Sequence, residues 1–102
     1  MAIAQVSIVP LGTGSTSLSS FVAGIAGFLE KEGVPYQLTP MGTILEGSLT
    51  EILNLIARMH ELPFGEGAVR VMTLINIDDR RDKKATAQGK VESVSKKLAG
   101  TQ

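Results

Sequence analysis

The residue whose setting most suggests chemistry is Glu46, which closes the run TILE behind Ile44 and Leu45. A carboxylate among apolar neighbours is expensive to bury without a partner. Glu46 is therefore expected either to contact a ligand, to pair with Arg58 or Arg70, or to face water at a strand end. Just before it, Pro40-Met41-Gly42 reads as a turn, because proline presets the backbone and glycine accepts conformations other residues avoid. Gly42 leaves the backbone open to close approach beside the hydroxyl of Thr43. Ser7 stands alone among apolar neighbours, Ser17 precedes an apolar stripe where it can cap a helix, and Asp79 sits in the run DDRRDKK.

Other chemistries are poorly supplied. There is one histidine, His60, and no cysteine, so thiol catalysis, disulfides and thiolate metal sites are out. No nucleophile elbow accompanies His60, and no acidic loop of the calcium type is present. The run GTGSTS lacks the lysine of a phosphate loop and the glycine spacing of a dinucleotide loop. The formal net charge of +0 gives no pull toward nucleic acid or a membrane surface. No apolar run approaches the ~18 residues of a membrane span, and the N-terminal run lacks a basic leader. A cytoplasmic protein is expected, with no cofactor and no metal.

The elements that must position these residues follow from periodicity. At 102 residues, 43% of them hydrophobic, one domain with a real core is expected. Residues 3–9 are rich in β-branched side chains and predict a strand ending at Pro10. Leu18, Phe21, Val22, Ile25, Phe28 and Leu29 then recur every three or four positions, a helical stripe. Thr16 or Ser17 can cap it, and Gly33 with Pro35 stops it. Gly24 and Gly27, costly inside a helix, suggest close approach of a backbone or ligand. Strands are expected at 36–39 and 43–46. Ser48 and Glu51 have capping-box spacing ahead of Leu49, Ile52, Leu53, Ile56 and Met59. A strand over 69–77 and a helix over 86–98, with Val91, Val94 and Leu98 inward, complete the chain.

The order strand, helix, strand, strand, helix, strand is that of an α+β, ferredoxin-like βαββαβ fold: a four-stranded antiparallel sheet with two helices on one face, plus a C-terminal helix. Both faces of the first and last strands carry apolar residues, yet two helices cover only one face. Burial against a second copy, or beneath the terminal helix, is expected. A homo-oligomer follows. The central runs TILEG and IAQVSIV hold no aromatic, which argues against an RNA-recognition module of the same topology.

The segments SIVPLGTGSTSLS, LTPMGTILEG, MHELPFGEGAVRVMTLINIDDRRDK and KVESV resemble the small thiamine-binding family related to YkoF, over nearly the whole chain. The resemblance implies a ferredoxin-like fold assembled as dimers or tetramers. It also implies binding of thiamine or its hydroxymethylpyrimidine moiety, in salvage or transport rather than catalysis. Such a ligand asks for a carboxylate, one or two hydroxyls or backbone groups at the pyrimidine edge, and an apolar or aromatic wall. On that reading Glu46 is the carboxylate, Thr43, Gly42, Ser7 and Ser17 are edge contacts, and Asp79 balances the thiazolium. The rival reading is an oligomeric regulatory domain sensing a different small molecule.

Overall fold

The computed structural model describes residues 1–14, 18–82 and 86–100, and the candidate Ser17 lies outside them. Strand β1 spans Ala2–Pro10, helix α1 Ser19–Glu32, β2 Tyr36–Thr39, β3 Gly42–Gly47, α2 Leu49–Gly65, β4 Val71–Asp79 and α3 Ala87–Gly100. The sheet order is β2-β3-β1-β4, and each neighbouring pair is antiparallel. This is the ferredoxin-like α+β arrangement that the sequence predicts.

Alternation along β1 decides which face is dry. Ala2, Ala4 and Val6 are buried and meet Leu45 of β3, Ile25 and Leu29 of α1, and Ile52, Ile56 and Met59 of α2. Small side chains at positions 2 and 4 let the helices approach the sheet closely. The turns are local chemistry. Gly33 caps α1 in the left-handed region at φ 68°, and its N–H reaches back to the Glu30 carbonyl. Ser48 accepts a hydrogen bond from the Glu51 N–H at 3.2 Å and starts α2. The α1 N-cap is Leu18, which offers no side-chain acceptor.

Three expectations need correction. The last strand runs over Val71–Asp79 rather than 69–77. Its limits come from the β1 ladder, in which Pro10 opposes Val71 and Ala2 opposes Asp79. Val69 is left 85% exposed. Second, the α3 stripe does not face inward, for Val91, Val94 and Leu98 are about 60% exposed and no α3 residue is buried. The stripe's periodicity says which side of the helix is apolar but not what covers it. Third, Gly27 has open space where a Cβ would stand, so close approach explains only Gly24.

Candidate functional site: a ring-sized cleft at the Gly42 turn

Three of the sequence candidates converge on a cleft of about 170 Å³ at the β2–β3 turn. Ser7, Gly42 and Thr43 line it together with Val22 and Ile25 of α1, Leu38, Met41 and Met59. The turn is pinned by hydroxyls. Ser7 donates to the Met41 carbonyl at 2.7 Å, and Thr39 donates to the Gly42 carbonyl at 2.8 Å while accepting from the Met41 N–H. Gly42 is required by space: a Cβ there would lie 2.8 Å from the Val6 carbonyl oxygen and 3.0 Å from the Ser7 hydroxyl. Thr43 pairs with Val6 of β1 and is 7% exposed, a hydroxyl-bearing residue on the largely buried side of the cleft.

Glu46 and Asp79 are elsewhere. Glu46 stands opposite Ile3, four positions along β1 from Ser7, or about 13 Å at the strand rise. It pairs with neither Arg58 nor Arg70. Its carboxylate accepts the Ala87 backbone N–H, at the first residue of α3, where an anion suits the helix dipole. Arg58 instead binds Glu32 and covers the Phe28 ring at 4.8 Å. Asp78, in the same row as Glu46 and Ile3, binds Lys90 of α3. Thr86 completes the anchorage by accepting the Gly89 N–H at 2.9 Å. The acid that looked anomalous in the sequence is thus a helix anchor on the open face.

Asp79 accepts two hydrogen bonds from Arg81, at 2.7 and 3.1 Å, which hold its carboxyl below the ordinary range. Arg80 grips Asp82 likewise, so this part of the mixed-sign run is a local ion-pair network. Lys83 and Lys84 lie outside the described residues. His60 shares a 2.6 Å hydrogen bond with Thr73 and packs its ring against Phe64 at 5.6 Å, tying α2 to β4.

One group escaped the sequence reading. A groove of about 450 Å³ beside the start of α1 is lined by Thr13, Ser20, Phe21, Glu66 and Gly67. The Glu66 carboxylate reaches over the helix at Gly24, 2.9 Å from where a Cβ would stand. Gly24 was the available signal; nothing in the spacing linked it to residue 66.

Comparison with known proteins agrees with this architecture. Residues 4–95 match the family model described as thiamine-binding protein. The chain belongs to that family. It is 51% identical to the UPF0045 protein YqgV of Bacillus subtilis, over 96% of this chain and 98% of that one. It is 43% identical to a UPF0045 protein of Methanothermobacter thermautotrophicus, over 96% and 100%. Among solved structures, hypothetical protein MJ1052 of Methanocaldococcus jannaschii superimposes with a TM-score of 0.81 at 34% identity, covering 92% of this chain and 95% of that one. A Thermotoga maritima protein proposed for thiamine biosynthesis or salvage shares the fold, with a TM-score of 0.74 at 19% identity over 91% and 97%.

Proposed function

We propose that this protein binds the aminopyrimidine ring of thiamine, free as hydroxymethylpyrimidine or within the vitamin, and carries it in salvage or transport without transforming it. Membership of the thiamine-binding protein family supports the ligand class. The observation that carries the reading is the match between the Gly42 cleft and one flat ring. At about 170 Å³ it is close to the ~150 Å³ cavity that accepts benzene. It is well short of the ~300–1,000 Å³ pockets that take whole drug-sized ligands. Thr43 can donate to a ring nitrogen or accept from the exocyclic amine. Met41 and Met59 supply soft sulfur contacts to the ring. Ser7 and Gly42 act on the ligand through the shape of the turn. Glu46 and Asp79 hold α3 and the β4 terminus and stay outside the site. The one histidine lies against Thr73 and is not among the residues that line the Gly42 cleft.

A second reading rests on Glu66. Its groove combines a carboxylate, the Phe21 ring and two hydroxyls in a volume suited to the whole cation. Calorimetric titration separates the two. If the Gly42 cleft is the site, hydroxymethylpyrimidine and thiamine bind alike, Thr43→Val weakens both, and Glu66→Gln weakens neither. If the Glu66 groove is the site, thiamine binds, the neutral pyrimidine does not, and Glu66→Gln abolishes the heat. Absence of heat from both compounds at millimolar concentration overturns both readings.

A further inference from the structure

Two of the chain's four methionines wall the Gly42 cleft, and water reaches them very differently. Met59, on α2, is 1% exposed, whereas Met41, at the β2–β3 turn, is 77% exposed. Met1 and Met72, which do not line the cleft, are 45% and 48% exposed. The chain has no cysteine, so no thiol of its own competes for a mild oxidant. Access then ranks the sulfurs, and Met41 comes first. The turn gives that ranking a consequence. The Met41 carbonyl accepts the Ser7 hydroxyl at 2.7 Å, and its N–H donates to the Thr39 hydroxyl at 3.3 Å. Gly42 beside it has no room to shift toward the Val6 carbonyl. The main chain at residue 41 is held, so a chemical change in its side chain is felt in the cleft.

We propose that Met41 is a modification site: a hydroperoxide converts it to the sulfoxide, and the cleft then releases its ring. This rests on the pyrimidine reading of the Gly42 cleft and adds a control to it. In the step, the Met41 sulfur lone pair attacks one peroxide oxygen, the O–O bond breaks and an S–O bond forms. The transferred oxygen's proton passes to the departing oxygen, which leaves as water or an alcohol. Sulfur loses two electrons and the peroxide gains them. The product carries a polar oxygen where a soft, polarizable sulfur stood. Turned toward the ring, that oxygen loses its water without a replacement donor. Among the described residues no lysine or arginine lines the cleft, and the Ser7 and Thr39 hydroxyls already donate to backbone carbonyls. Turned toward solvent, it takes the Met41 wall away from the ring. Both arrangements weaken binding. Met59, on the same cleft but out of reach of water, is spared.

Mild hydrogen peroxide, peptide mass mapping and titration with hydroxymethylpyrimidine test this on the full chain. Met41 should oxidise first, Met1 and Met72 more slowly and Met59 last, and saturating pyrimidine should slow Met41 alone. Protein oxidised at Met41 should bind the pyrimidine about tenfold more weakly, the effect of one poorly satisfied polar group. Methionine sulfoxide reductases of both epimer specificities, with a thiol reductant, should restore the affinity. Met41→Leu, at whatever affinity it starts, should bind the same after peroxide as before. Met72→Leu should lose affinity on oxidation as the native protein does. If the unoxidised protein binds and oxidation of Met41 leaves its affinity equal or higher, this inference fails and the pyrimidine reading stands. Loss of affinity in oxidised Met41→Leu, or Met41 reacting no faster than Met72, likewise overturns the inference alone. No heat from the unoxidised protein overturns the pyrimidine reading and this inference with it.

Discussion

The two ends of β1 present opposite solutions to the same problem of placing polar groups on a half-covered sheet. At the Ile3 end the groups are charged, and each is used to hold the chain to itself: Glu46 on the α3 N-terminus, Asp78 on Lys90, Asp79 on Arg81. At the Ser7 end they are neutral hydroxyls that fix a turn and leave a cleft the size of one ring. Charged side chains draw attention in a sequence because burying them is costly, and that cost is what recruits partners from the protein itself. Hydroxyls can be embedded more cheaply, which leaves room beside them for a ligand.

The contrast breaks most decisively at Gly42. Gly42→Ala drives a methyl group against the Val6 carbonyl at 2.8 Å, and backbone cannot swing aside as a flexible side chain can. A loss of about 1–3 kcal/mol of stability is expected, as for overpacked sites, together with loss of pyrimidine binding. Thermal melts and titration check the two parts separately. Thr43→Val preserves shape and removes one hydroxyl, so binding should fall about three- to tenfold, the equivalent of one neutral hydrogen bond. Unaltered affinity would move the ligand to the Glu66 groove.

At the other end, Glu46→Gln removes the anion facing the helix dipole. A loss of about 0.3–1 kcal/mol is expected, confined to α3 and seen as faster amide exchange at residues 87–90, with pyrimidine affinity unchanged. A drop in affinity would bring Glu46 back into the site. The smallest effects are those of pH. The Arg81 hydrogen bonds hold the Asp79 carboxyl low, so their contribution is full above the ordinary aspartate range and fades as pH falls through the depressed folded value. Tyr36 donates to Glu30 at 2.8 Å, which raises its phenol. That contribution is full below the ordinary tyrosine value and is lost as pH rises through the raised folded one. Asp79→Asn should flatten only the acid limb of a stability profile and Tyr36→Phe only the alkaline limb.

Much of this was legible in the chain. Alternation in residues 3–9, the stripes starting at Leu18 and Leu49, and the glycine and proline punctuation specify the order and handedness of burial without tertiary knowledge. Strand limits were less so, because the end of β4 is set by its partner β1 and not by its own residues. The candidate site was half legible. Ser7, Gly42 and Thr43 are marked by type and neighbours, but that Glu46 meets residue 87 and Glu66 meets Gly24 depends on contacts across the chain that carry no local signature. The α3 stripe shows the same limit, since an apolar face names no partner.

Backbone amide mapping during titration with hydroxymethylpyrimidine tests the central claim most directly. Shifts should concentrate at Ser7, Met41, Gly42 and Thr43, saturating at one ring per chain and leaving Ile3, Glu46 and Ala87 still. Shifts centred on Glu46 and the start of α3, or none at the Gly42 turn at saturation, would contradict it.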